Sequence, residues 1–336
     1  MSDDAQPGTH RRRPQRRHYY RLALAVTVAL VVLVIILLPI AVNSMQDVLG
    51  RGPEPVFDLL TGKPISSAAV AEAEADATYF NLGFVDLSEA TGLITIAVSG
   101  NRTCAEACPT LNLTFASLDD DADQRRGLPP FATMTLTPQQ VIFSESVQLP
   151  VRGQPSLYPF DTYSLWLGVA GLMTQADGSS VEIDAATIQA GGVVTIQNRI
   201  ADMIMHDPDV IDPARVRVAS DPFGFMAVHS LKFMRPAYLE VLAIALILLI
   251  GVSAALALFT RGLDELALGF GGLILGVWGV RSVLMPQSLP TVTAVDLALS
   301  WLILLLLLGL ALRAALHFLR QSELPPPRVP RRQDRG

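Results

Sequence analysis

Four stretches of this chain are apolar for about the 20 residues that a helix needs to cross hydrocarbon. They are residues 22–42, 237–259, 266–285 and 296–318. The first has no charged residue. The second has Glu240 near its start, the third has Arg281, and the fourth has Asp296 at its start and Arg313 toward its end. Lipid offers backbone groups no water to bond, so such runs fold as helices. The first run exceeds the apolar core of a signal peptide, about 7–15 residues. It is followed by Asn43-Ser44-Met45-Gln46 rather than a small-residue cleavage site, and it reads as an uncleaved anchor.

Arginine placement orients the chain, because cytoplasmic loops collect Lys and Arg. Arg11, Arg12, Arg13, Arg16, Arg17 and Arg21 precede the first run, and Arg320, Arg328, Arg331, Arg332 and Arg335 follow the last. The loop 286–295 has neither Lys nor Arg. The expectation is a multi-pass plasma-membrane protein with both termini cytoplasmic and residues 43–236 outside. The tails, 1–21 and 319–336, are rich in Arg and Pro and read as disordered. Their arginines suit anionic lipid headgroups, so the expected partner is the bilayer and not nucleic acid.

Residues 43–236 hold 23 Asp and Glu against 11 Lys and Arg, while the rest of the chain is net positive. This segment alternates in short blocks bounded by turn residues, the signature of half-buried strands. The blocks are 93–98, 111–115, 131–136, 141–149, 163–169, 193–200, 215–219 and 225–233, the last running directly toward the membrane. Residues 66–77 are alanine-rich and read as a helix or a linker. The expected fold is therefore an α+β membrane protein, with four transmembrane helices and an extracytoplasmic antiparallel β-sandwich.

Cys104 and Cys108 are the chain's two cysteines. On the oxidising side of a membrane they read as a disulfide closing a small loop. Two cysteines fall short of the zinc ligand count, and their spacing is not Cys-x-x-Cys. Acids cluster at Asp119-Asp120-Asp121-Ala122-Asp123 and at His206-Asp207-Pro208-Asp209. Calcium takes several oxygen ligands, but neither cluster has the EF-hand spacing, and both read as solvated loops. The chain contains no Gly-x-Ser-x-Gly, Walker or His-Glu-x-x-His motif. His206 and His229 have turn and structural readings. The expectation is no enzyme, no cofactor and no resident metal.

Charges inside a membrane are costly and usually pair or reach a polar surface. Glu240, Arg281 and Asp296 fall at similar expected depth near the outer ends of their helices. Arg281 is expected to bridge Glu240 or Asp296; snorkelling of each to the interface is the alternative. Gly272 and Gly276 form a Gly-x-x-x-Gly pair of the kind that lets helices approach closely.

Tyr158-Pro159-Phe160-Asp161 precedes a strand, and Arg235-Pro236 joins the last strand to an apolar helix. Pro159 sets a turn, Tyr158 and Phe160 are suited to anchoring it in a core or at a membrane interface, and Asp161 is suited to backbone amides. The two places resemble the aromatic-Pro-Phe-Asp motif and the strand-to-membrane junction of the pentameric Cys-loop ligand-gated channels. The order sandwich, helix, inner turn, helix, outer loop, helix is similar as well. The chain departs from that pattern in having no cysteine after the motif, no final membrane helix, and an extra helix before the sandwich. It also resembles an uncharacterised family of bacterial membrane proteins with this layout and a Tyr-Pro-Phe-Asp motif, which implies no function. Two functions are expected from these readings. One is a surface protein whose sandwich binds an envelope component, a protein or a small ligand. The other is a divergent, oligomeric channel or receptor subunit.

Overall fold

The structure is a computed structural model. It describes residues 54–104, 107–119, 129–212, 224–260, 263–284 and 292–322, and positions scattered between Leu24 and Gln46. The expected strand 215–219, residues 1–21 and 323–336 of the tails expected to be disordered, and most of the Asp119–Asp123 cluster lie outside the described residues; residues 319–322, assigned by the sequence to the second tail, are helical. The chain divides into a β-rich unit, residues 42–241 with 285–294, and a helical unit that includes 242–284 and 295 onward.

The β-rich unit is two sheets around one apolar core. Sheet A runs in the order β2-β1-β11-β3-β4-β7. Its strands are β1 (Val56–Asp58), β2 (Pro64–Ile65), β3 (Thr78–Ser88), β4 (Leu93–Asn101), β7 (Ile142–Pro150) and β11 (Gly192–Asn198). Sheet B is built on the path β12-β14-β9-β5-β6. These strands are β5 (Thr110–Ser117), β6 (Phe131–Leu136), β9 (Thr162–Thr174), β12 (Ile204–Met205) and β14 (Phe225–Met234). Three short strands flank that path: β8 (Arg152–Gly153), β10 (Ser180–Glu182) and β13 (Asp209–Val210). Residues 66–77 resolve into a helix, α1 (Ser67–Asp76). A second short helix, α2 (Ala185–Gly191), precedes β11.

Alternation explains most of these elements. In β4, Ile94, Ile96 and Val98 point inward and are fully buried, while the residues between them are partly exposed. Phe84 of sheet A meets Phe233 of sheet B edge-on, with ring centroids 5.3 Å apart, a geometry worth about 1 kcal/mol beyond its buried area. His229, on β14, donates from Nε2 to the Leu59 carbonyl in the β1–β2 connection and so ties sheet B to sheet A.

The expected all-antiparallel sandwich needs one correction. β11 pairs with β3 in parallel, Val194 opposite Phe80 and Ile196 opposite Leu82. A parallel pair needs a long crossover, and here β4 to β10, strands of both sheets, lie in the connection between the two strands. The consequence is that β3 is covered on both faces from Tyr79 to Phe84, so it has no alternation to read.

The helical unit contains most of α3 (Ala237–Thr260), α4 (Leu263–Leu284) and most of α5 (Ala294–Ser322). The described residues of the first apolar run are helical too. Among the described residues, two helices are long and apolar enough to cross a membrane, at Ala237–Leu258 and Ala294–Leu319. α3 and α5 pack through glycine, but not the pair expected. A Cβ on Gly251 would meet Leu302 at 3.1 Å and one on Gly309 would meet Leu258 at 2.7 Å. Cβ atoms on Gly272 and Gly276 would meet nothing within 4 Å among the described residues. Arg313 donates to the Leu258 carbonyl, one of the end carbonyls that a helix leaves unpaired.

Candidate functional site

The connection between β7 and β9 carries the aromatic-Pro-Phe-Asp motif. A 3-10 turn at Pro155–Leu157 leads into a cis Tyr158–Pro159 peptide, and β9 starts at Thr162. Tyr158 and Asp161 are buried, while Phe160 is 43% exposed, so the two aromatics take opposite sides of the loop. A Cβ on Gly153 of β8 would collide with the Tyr163 ring, so only glycine lets this turn close over β9.

Asp161 bonds a backbone amide of the turn, its own, as the sequence suggested, and its carboxylate has further partners. It accepts from Arg235, Nε to Oδ1 at 3.4 Å, across 74 residues of sequence. Arg235 follows the last residue of β14 and is 5% exposed. Its guanidinium also pairs with Glu89 and lies over the Tyr158 ring, 5.0 Å from the centroid. Glu89 is delivered by the β3–β4 turn, which closes through Gly92 at φ 63° with Gly92 N–H donating to Ser88 O at 2.7 Å. Few side chains tolerate that left-handed conformation. The Tyr163 hydroxyl lies against the Asp161 carboxylate and completes the cluster.

Three charges thus share a buried site, two carboxylates about one guanidinium. Burial pushes the Asp161 carboxyl up, against the nearby Tyr163 hydroxyl that pulls it down. Burial, then the Asp161 charge, pushes Tyr158 up to about 12, and the same two causes raise Tyr163. Burial lowers Arg235 to about 10, which leaves it a cation at neutral pH. Desolvating each ion costs several kcal/mol, offset only when the partners are in place. The arrangement therefore acts as a lock joining three segments: the β3–β4 turn, the motif loop and the exit of β14. It has no exposed nucleophile. Sequence reasoning singled out Asp161 and Arg235 but missed Glu89, whose sole sequence signal is its place in a tight turn.

The other sequence-derived sites fall elsewhere. In the helical unit Arg281 pairs with Asp296 through two contacts, one of them Nη2 to Oδ2 at 3.4 Å, and lies 5.6 Å from the Trp278 ring centroid. Glu240, in the first turn of α3, has no ion-pair partner among the described residues. Cys104 and Cys108 form a disulfide with S–S 2.07 Å. Beside it Arg102 is buried and donates to the carbonyls of Pro109 and Thr137. His206 is exposed, with Nε2 2.8 Å from the Met234 sulfur. Among the described residues no three His, Cys, Asp or Glu side chains are grouped to hold a metal ion.

Residues 129–199 match the family described as a domain of unknown function (DUF4436). The DUF4436 match runs from the approach to β6 into the residue after β11 and contains the motif loop and Asp161. Glu89 and Arg235, the partners that lock the loop, lie outside it. Comparison with curated proteins gave no match.

Proposed function

We propose that this chain is a multi-pass plasma-membrane protein with four membrane helices and both termini cytoplasmic. Its disulfide-bearing sandwich stands outside and binds an envelope component, a protein or a small ligand; it is not an enzyme. The observation that carries the reading is the way β14 ends. The strand passes through the buried Arg235 and Pro236 directly into a 24-residue apolar helix. A β-domain joined in this way to a hydrocarbon-length helix belongs at a bilayer surface. The arginine-rich flanks and the acidic 43–236 segment supply the direction. The burial and mutual pairing of Glu89, Asp161 and Arg235 favours binding over catalysis. Single cysteines introduced at exposed positions of β7 and between α3 and α4, probed with a membrane-impermeant maleimide on intact cells, test the placement. Labelling of the first and protection of the second is expected; the reverse pattern overturns it.

A second reading, a divergent subunit of a pentameric channel or receptor, is favoured by one specific contact. Asp161 and Arg235, the two places that carry the resemblance to Cys-loop channels, meet in one cluster. A subunit of that kind works in a ring. The mass of the protein in mild detergent decides this, and a monomer removes the channel reading.

A further inference from the structure

The loop that carries Asp161 shows its surroundings an uncharged, apolar face. From Gln154 to Phe160 it has no ionic side chain, in an otherwise acidic segment. Leu157 and Phe160 are 45% and 43% exposed. Single exposed apolar residues are ordinary, but these two share a loop whose backbone asks little of water. Pro155 and Pro159 have no N–H to donate. The amides of Leu157, Tyr158 and Phe160 donate within the loop, to the carbonyls of Gln154 at 3.0 Å, Pro155 at 3.2 Å and Leu157 at 2.9 Å. A backbone bonded in this way loses little on leaving water, and lipid demands such internal bonding.

The level of the loop is fixed by its partners. Tyr158 and Asp161 hold Arg235, and α3 starts two residues later, at Ala237. The first turn of α3 lies close enough for Glu240 to act on Asp161 and for Tyr238 to act on Tyr158. The apolar window of α3, Ala237–Leu258, has 22 residues, about 33 Å of helix against about 30 Å of hydrocarbon. With so little length to spare, Ala237 in a bilayer stands at the boundary between acyl chains and headgroups. Phe160, on the opposite side of the loop from Tyr158, and Leu157 stand beside that boundary.

We propose that loop 154–160 docks on the outer leaflet, with Leu157 and Phe160 entering the glycerol–acyl boundary of its phospholipids. The docking rests on the reading of α3 as a membrane helix. The Glu89–Arg235–Asp161 cluster sets its depth by holding the loop to the exit of β14, and the sandwich gains a point of support on lipid beside α3.

Cys104 and Cys108 are joined, so Ser156→Cys, at an exposed position, takes a nitroxide label alone and leaves Leu157 and Phe160 natural. The full chain in phospholipid nanodiscs is compared with two reference labels. One is at Ile142→Cys, 82% exposed at the far end of β7, about 26 Å along the strand from Pro150. The other is at Leu248→Cys, midway along α3. The readout is the ratio of collision rates with oxygen, which concentrates in lipid, and with a water-soluble nickel chelate. The ratio at position 156 is expected to exceed that at 142 several-fold and to stay below that at 248. Leu157→Asp with Phe160→Asp is expected to return it to the value at 142. Should that variant fail to fold, Leu157→Ser with Phe160→Ser serves, with most of the drop expected. A ratio at 156 no higher than at 142, while 248 reads as lipid, overturns the docking and leaves α3 in the bilayer. A high ratio that the double variants do not lower overturns it as well. A ratio at 248 as low as at 142 overturns the placement of α3, and the docking with it.

Discussion

Asp161 and Arg235 hold each other inside the sandwich at 3.4 Å, one at the start of β9 and the other just past the end of β14. Breaking a buried ion pair from one side costs about 3–5 kcal/mol, because the surviving charge is left without compensation. Arg235→Met is therefore expected to destabilise strongly, since it strands two carboxylates. Adding Glu89→Gln and Asp161→Asn to it should recover most of the loss. Thermal melts of the purified full chain check both; a triple variant no better than Arg235→Met would show that the cation acts by packing alone.

His229 gives the sandwich a pH dependence with a definite sign. Burial lowers its pKa, so the folded ring is neutral while the unfolded ring titrates near its usual value of about 6.5. The unfolded state binds the extra proton, and stability rises with pH across that window. The contribution is complete above pH ~6.5 and is lost as pH falls through the lowered folded value. His229→Gln keeps a donor for the Leu59 carbonyl and should flatten that part of a Tm–pH curve.

The Cys104–Cys108 loop is short, so its entropic contribution is modest, about 2 kcal/mol. Replacing both cysteines with serine should leave the protein folded, with a melting point lower by several degrees. Alkylation under denaturing conditions should add two labels after reduction and none before it, as read by intact mass.

Arg281 and Asp296 are paired but not deeply enclosed, the Arg281 side chain being 38% exposed. Exposed pairs contribute about 0–1 kcal/mol, so Asp296→Asn should lower stability only slightly in detergent. The exchange Arg281→Asp with Asp296→Arg should return to the natural value within about 0.5 kcal/mol. A melt that drops by many degrees on Asp296→Asn would mean a more enclosed pair.

The elements legible in the sequence were those with one wet face. β4 and β6 alternate, and β6 falls on the residues that alternation marked, Phe131–Leu136. β3 was invisible because both of its faces are covered. Its polar residues serve internal bonds, as where Thr195 Oγ1 donates to Asn81 Oδ1 at 3.1 Å. The Gly272–Gly276 pair meets no described residue within 4 Å, and a glycine spacing records the capacity for close approach but not its direction. The ionic cluster was half legible. A motif marks Asp161 and a strand end marks Arg235, but their contact depends on a register set by nine paired positions between β9 and β14.

The order of sheet A has a bearing on how the protein is made. β1 and β3, near neighbours in sequence, are parted by β11. While the ribosome is still short of Gly192, the hairpin of β1 and β2 has no strand to lie against, and β3 keeps an open flank. The amino-terminal half of this domain must wait, unfinished, for a strip of chain synthesised more than a hundred residues later, and any partner that shields exposed edges would be needed during that interval.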